Sequence, residues 1–317
     1  MTSIRSEHFY FRDPASTTVG TGGTFLFSSA TTCTVVPTAQ PAALSHLLER
    51  LGAPTAGSEL LDGPATGLEQ ELESLIGAGI VLEAPSAEPL VEARGEVFRT
   101  NRSYSFEPGP VRCPRLVLAM TGSVIAGLMA PFVLSLAYSR FHEKLELIIT
   151  PGARSFVQPE LFEYYGIRTW TDPFARRDEV VGPHITLAKS ADLVVVMPAT
   201  ARSISRLAAG ECSDLLSLVV AATSAPVVVA PTMNTAMWDN PSVRRNVDQL
   251  RADGSYVMEP TLFFEAAELI NRAEPGVGMA GAFWSGPSGL MKVLGEVLDL
   301  HHGRLAPTPT TPAVAQV

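Results

Sequence analysis

Five short segments carry side chains able to do chemistry. Thr121-Gly122-Ser123 joins a glycine, which permits a tight turn, to small hydroxyl groups. If a helix follows, its free N–H groups suit an anion such as phosphate. Neither the GxGxxG fingerprint nor a P-loop lysine is present, so an ordinary strand-to-helix turn remains the alternative. Thr150-Pro151-Gly152-Ala153-Arg154-Ser155-Phe156 offers a hydroxyl, a turn and an aromatic that can flank a ring-shaped ligand, or a Pro-Gly turn beside a core Phe. His184 is a lone histidine, a type more often structural than catalytic. Met197-Pro198-Ala199-Thr200-Ala201-Arg202-Ser203 has small residues that let backbone amides approach a ligand. Ala230 to Pro241 gathers Thr232, Asn234, Met237 and Trp238 in one loop, a composition unlike simple surface; the alternative is a buried loop whose Asn satisfies backbone groups.

These segments need elements to hold them. From Arg115 onward, strand and helix patterns alternate regularly. Predicted strands are Leu116–Met120, Leu145–Thr150, Leu193–Met197, Val227–Ala230 and Tyr256–Glu259. Short β-branched runs separated by helices predict α/β architecture, a doubly wound parallel sheet covered on both faces, whose ligands sit beyond the carboxyl ends of the strands. Residues 1–90 read as a small α+β, winged-helix-like domain. Strand composition lies at His8–Arg12, Gly23–Ser28 and Cys33–Val36, helical periodicity at Leu44–Leu51 and Leu68–Ala78, and a short strand at Ile80–Leu82. Residues 91–114 read as a linker, 115–300 as the ligand-binding domain and 301–317, with its PTPTTP run, as a disordered tail.

Composition narrows the classes. The 317 residues are 46% hydrophobic and 17% charged, enough for a substantial core. Net charge is −9, and residues 1–110 hold 13 acidic against 6 basic side chains, or −7. An acidic chain without a basic run argues against nucleic acid as partner. Cys33, Cys113 and Cys212 are widely spaced and odd in number, which predicts reduced cytosolic thiols with neither disulfides nor a metal site. Two uncharged stretches, Leu116–Ser139 and Leu215–Trp238, are each 24 residues long. Gly122, Pro131, Pro226 and Pro231 interrupt them, so buried strands and helices fit better than membrane spans. A cytoplasmic protein with no membrane partner is expected.

Taken together, the loops resemble the homo-oligomeric flavin-containing cysteine decarboxylase family over about residues 115–260. The residues that carry the resemblance are Gly122-Ser123-Val124, the Thr150–Phe156 loop, Pro183-His184-Ile185, Pro198–Ser203, Gly210…Asp214-Leu215-Leu216, and Pro231-Thr232-Met233-Asn234-Thr235-Ala236-Met237-Trp238. The last matches the PxMNxxMW substrate motif in full. The resemblance implies a Rossmann-like flavoprotein that binds FMN between subunits of a homotrimer, with some members assembled as dodecamers. It implies oxidation of a cysteine side chain to a thioaldehyde by loss of a hydride from Cβ, then departure of the carboxylate as CO₂ to leave an enethiol. By match, His184 is the catalytic base or thiol-handling residue, a task suited to imidazole near neutral pH. Asn234 holds the substrate carboxylate, and Met237 and Trp238 line the substrate loop. Gly122, Ser123, Val124, Thr150, Phe156, Pro198, Ala199, Thr200, Ala201 and Thr232 contact FMN.

Two departures inform the substrate. Arg202 replaces an asparagine common in the family. Phosphopantothenoylcysteine decarboxylases carry a cysteine after the substrate motif, used when the enethiol is reduced, whereas Gly276–Ala282 has none and Cys212 is the last cysteine of the chain. Release of the oxidised enethiol is expected. This favours the peptidyl-cysteine branch, which acts on the C-terminal cysteine of a ribosomal precursor peptide in lantibiotic-type maturation. The N-terminal unit loosely resembles leader-peptide recognition elements, which take a peptide as an added edge strand. The alternatives are decarboxylation of phosphopantothenoylcysteine or another small cysteine conjugate, and a non-catalytic flavoprotein subunit.

Overall fold

In the computed structural model, residues 4–13, 16–29, 32–90, 111–177, 180–264, 277–280 and 286–305 are described. The predicted linker, apart from residues 111–114, and most of the predicted tail lie outside them. Six parallel strands form the centre of the molecule: β7 (Cys113–Met120), β8 (His142–Ile149), β9 (Arg168–Trp170), β12 (Leu193–Ala199), β13 (Val227–Asn234) and β14 (Tyr256–Met258). They lie in the spatial order β14-β13-β12-β7-β8-β9. The chain thus starts in the middle, winds outward to β9 and returns to the other side of β7. This doubly wound order places its switch point between β7 and β12. A two-residue hairpin pair, β10 (Arg176–Arg177) and β11 (Val180–Val181), stands apart.

The period-two alternation of strand side chains divides the core cleanly. Leu116, Leu118 and Met120 of β7 and Leu193, Val195 and Met197 of β12 face one cluster, with Phe132, Val133 and Leu136 of the Ala130–Tyr138 helix and Leu290, Val293, Leu294 and Val297 of the Gly286–His301 helix. Val117, Ala119, Val194 and Val196 face the other, with Leu187, Ile204, Leu215, Val219 and Leu250 from four helices. Every residue of β12 is buried, as a strand covered on both faces requires. No helix among the described residues is long and apolar enough to cross a membrane.

The amino-terminal region does not stand apart from this sheet. β1 (Phe9–Arg12) pairs antiparallel with β5 (Thr55–Ala56) and β6 (Val81–Ala84) in a separate three-stranded sheet. Between them β2 (Thr17–Thr21), β3 (Thr24–Ser28) and β4 (Cys33–Pro37) form a meander that joins the large sheet, β2 pairing antiparallel with β14. Leu26 of β3 points into the large-sheet core, whereas Phe25 and Phe27 point into an N-terminal core. That second core contains Leu44, Leu47 and Leu48 of the Pro41–Arg50 helix and Leu72 and Leu75 of the Glu69–Gly77 helix. Residues 1–90 therefore share a sheet and a core with the rest of the chain.

Candidate functional site

The carboxyl ends of β7, β8, β12 and β13 bring four of the five predicted segments to one edge of the sheet. The loops at the switch point are stitched together by one hydroxyl. Thr121, fully buried, donates from Oγ1 to the Pro198 carbonyl at 2.6 Å, and the same oxygen accepts from the Thr200 N–H at 3.0 Å. Thr200 Oγ1 in turn accepts from the Ser203 N–H at 3.3 Å and caps the Ala201–Ala208 helix. Thr121, named in the first of the five segments but not as a ligand contact, thus holds two of the loops together.

Gly122 meets Gly152 of the β8 loop backbone to backbone. A Cβ at Gly122 would lie 3.0–3.2 Å from Gly152 backbone atoms, and one at Gly152 would lie 3.2 Å from Gly122 Cα. Both positions need glycine for this close approach. Ser123 is an N-cap, its Oγ accepting from the Ile125 N–H at 3.3 Å. Thr150 is committed to the scaffold: its hydroxyl donates to the Met120 carbonyl at 3.0 Å. Val124 and Phe156 at this edge are half-exposed apolar side chains, and Leu128 is 67% exposed.

β13 runs on past its parallel partners. Thr232, Met233 and Asn234 pair antiparallel with Ala280, Met279 and Gly278 of β16 (Val277–Ala280), which itself pairs with β15 (Thr261–Phe264). The glycine-containing segment that follows the substrate motif thus lies beside it; its flanks, 265–276 and 281–285, are outside the described residues. Thr232 is 7% exposed, and its Oγ1 has no hydrogen-bond partner among the described residues. A buried hydroxyl in that condition is a place for a ligand's polar atom. Asn234 caps the four-residue helix Thr235–Trp238, its Oδ1 accepting from the Met237 N–H at 2.8 Å.

His184 sits in the first turn of the Pro183–Ser190 helix, after Gly182 at φ +67°, a left-handed conformation that favours glycine. The helix runs back toward β12, so its start lies at the same edge of the sheet. The ring is partly buried, with Nδ1 unpartnered among the described residues, and it makes no hydrogen bond to the four loops. Asp214 serves the scaffold, forming a capping box with Ser217 and a 3.0 Å ion pair with Arg206.

Trp238 departs from expectation. It is fully buried and does not line the loop surface; its Nε1 donates to Glu49 Oε1 at 2.7 Å, in the N-terminal region. The neighbouring Met237 is 46% exposed. On so short a helix, consecutive residues necessarily point about 100° apart, so one faces out and the other in. A cavity of about 460 Å³ opens at the opposite edge, lined by Pro226, Asp253 and His301 among others, and holds none of the predicted residues.

Comparison with known proteins agrees with this geometry. The Flavoprotein family model matches residues 107–276, more than half of the chain. The coenzyme A biosynthesis bifunctional protein CoaBC of Bacillus subtilis (strain 168) is 40% identical over 118 residues, covering 37% of this chain and 29% of that protein. The protein of the same name from Mycobacterium bovis is 37% identical over 168 residues, covering 53% and 38%. The chain thus spans about a third of the length of these curated relatives. Among solved structures, the FMN-dependent cysteine decarboxylase SpaF is 31% identical, with 57% of this chain and 95% of that chain covered and a TM-score of 0.47. The close glycine-to-glycine contact between the β7 and β8 loops and the Thr232 hydroxyl, which has no partner among the described residues, both fit a bound phosphate-bearing ring system. The chain belongs to the Flavoprotein family.

Proposed function

We propose that the chain is an FMN-dependent decarboxylase of a substrate that ends in cysteine. The observation that carries this reading is the end of β13, where a buried hydroxyl with no partner among the described residues and an amide oriented by its helix cap stand two residues apart beside the pairing strand β16. In this reading the Gly122–Val124 turn and the Pro198–Ala201 loop hold the flavin's phosphate and ring, and Thr232 hydrogen-bonds it. Bound FMN supplies an acceptor for two electrons. Asn234 donates its amide hydrogens to the substrate carboxylate, and Met237 packs against the chain that precedes the cysteine. His184 takes the thiol proton. The half-exposed Val124, Phe156 and Met237 support burial of this edge by a second copy of the chain, as in a trimer.

Two substrate classes fit. The curated relatives favour a small cysteine conjugate such as phosphopantothenoylcysteine. The second reading, a peptide with a C-terminal cysteine, is favoured by a specific feature: no cysteine follows Cys212, so the segment beside Asn234 lacks the thiol expected when the enethiol is reduced. The outer edge of β4, the last strand of the large sheet, adds support as a place where a leader peptide can pair.

One experiment separates these readings. The purified chain, loaded with FMN, is incubated with phosphopantothenoylcysteine and, separately, with cysteine-terminated peptides, and products are weighed by mass spectrometry. Loss of CO₂ alone from the small conjugate supports the first reading; loss of CO₂ and two hydrogens from a peptide supports the second. His184→Asn is expected to keep flavin and stop turnover. A protein that takes up no FMN, or releases CO₂ from neither substrate, refutes the assignment.

A further inference from the structure

The link from Trp238 to Glu49 spans 189 positions of sequence and joins the two regions of the chain. Glu49 lies in the last turn of the Pro41–Arg50 helix. Its Oε1 accepts from Trp238 and forms an ion pair with Arg244, whose guanidinium lies 4.7 Å from the centre of the Trp238 ring. One carboxylate oxygen therefore gathers a donor from the last residue of the Thr235–Trp238 helix and another from the helix that follows it. Burial pushes the Arg244 guanidinium down, yet an arginine remains charged at any physiological pH.

A four-residue helix has no stability of its own. Its place is set at its two ends, by the Asn234 cap and by the buried indole. Asn234 and Trp238 are one helical turn apart, so an anchor on the indole fixes the amide that faces the substrate. From this geometry we infer that Glu49 is a positioning residue for the site, holding Asn234 in place through Trp238 and Arg244. The N-terminal region is then part of the substrate-binding apparatus, whichever cysteine-bearing substrate is used. The consequence for catalysis rests on the role proposed above for Asn234; the brace itself does not.

The helix that carries Glu49 has a second, separate attachment. Ser45, one turn earlier and fully buried, donates to Glu259 Oε1 at 2.9 Å, and Arg251 closes the group by pairing with the same carboxylate. Removing the Glu49 carboxylate therefore loosens the substrate loop without detaching the helix.

The test uses the full FMN-loaded chain and compares Glu49→Ala with Glu49→Gln, which keeps an oxygen acceptor for the indole. Hydrogen exchange followed by mass spectrometry reads the loop directly. In Glu49→Ala the amides of Met237, Asp239 and Asn240 should exchange about ten- to a hundredfold faster, the range expected for losing a hydrogen bond to a charged group, while Val228–Ala230 and the Pro41–Arg50 helix keep wild-type protection. Glu49→Gln should restore most of the protection. In turnover, Glu49→Ala should raise KM about tenfold with kcat and FMN affinity little changed, because ground-state holding of the carboxylate is what is lost. Unchanged exchange at Met237–Asn240 in Glu49→Ala overturns the inference. So does faster exchange across the whole chain with parallel loss of FMN, which marks a purely structural role. If the wild type turns over neither substrate class, the proposed function fails, and the exchange experiment still decides the brace.

Discussion

Thr232→Val produces two effects of opposite sign if the Thr232 hydroxyl faces the flavin. The substitution preserves side-chain shape and β-branching in a strand, so the backbone of β13 is untouched. The buried Oγ1 has no hydrogen-bond partner among the described residues. An unsatisfied buried hydroxyl costs about 1–3 kcal/mol, so its removal should stabilise the apoprotein, with about 1 kcal/mol a reasonable expectation. At an m-value of about 1–3 kcal/mol/M, that moves the urea midpoint up by roughly 0.3–1 M. In the flavin-bound chain the same hydroxyl makes a neutral hydrogen bond with a net worth of about 0.5–1.5 kcal/mol, so FMN should bind about 2- to 13-fold more weakly. Urea denaturation of the stripped protein gives the first quantity, and titration of FMN fluorescence gives the second. At saturating FMN the two contributions oppose each other, and the variant's advantage in stability should shrink. A variant with unchanged FMN affinity, or one that loses stability and affinity together, would show that Thr232 packs against protein and has no part in the site.

Other substitutions probe the scaffold. Gly122→Ala places a methyl group against the Gly152 backbone, which cannot move as a flexible side chain would; flavin content after purification should fall sharply while circular dichroism stays that of the wild type. Arg251→Met breaks the direct ion pair of the 2% exposed Glu259, and the urea-derived stability should drop by about 3–5 kcal/mol, a loss comparable to much of a domain's total. Burial, aided by Glu296 at Cys33 and by Asp192 at Cys113, pushes both thiols up to about 12, so at pH 8 iodoacetamide should label only the exposed Cys212 until the protein is unfolded. These two thiols stay protonated in the fold above the ordinary value of 9.0, where the unfolded chain gives up its protons. Their contribution to stability is therefore complete below pH 9 and declines from there toward pH 12, which a pH series of urea midpoints will show.

Much of the site was legible because its parts are local. The strands β7, β12 and β13 are short continuous apolar runs, and each ends in small, polar or glycine residues, so strand positions and loop chemistry follow from short windows of sequence. The Leu68, Leu72, Leu75 and Ile76 stripe likewise marks a helix face, and the structure buries the three leucines completely. What escaped notice depends on distant partners. The Thr-Thr-Val-Gly-Thr run of β2 is too polar to read as a strand until it pairs with β3 on one side and β14 on the other. Arg168–Trp170 is too short to stand out. Trp238 reads as lining the substrate loop in a window of eight residues, and the helix 189 positions earlier receives its indole in the core.

The same distant contacts change what the acidic N-terminal region means. Its excess of carboxylates suggests a surface for a basic partner, yet Glu49 is taken by Arg244 and Trp238, and Glu83 lies 2.7 Å from His8 Nδ1 and 3.2 Å from the Tyr10 hydroxyl. The charge open to a partner is therefore smaller than the residue count implies. β2 also covers the edge of β14, a strand of Tyr256, Val257 and Met258 that would otherwise present apolar residues and unpaired backbone groups to other chains. Residues 1–90 thus extend the sheet past β14, hydrogen-bond the buried Arg251–Glu259 pair through Ser45 and anchor the loop that carries Asn234. A region with those three attachments is built into the framework of the chain, and any peptide that binds it acts on a surface already connected to the candidate site.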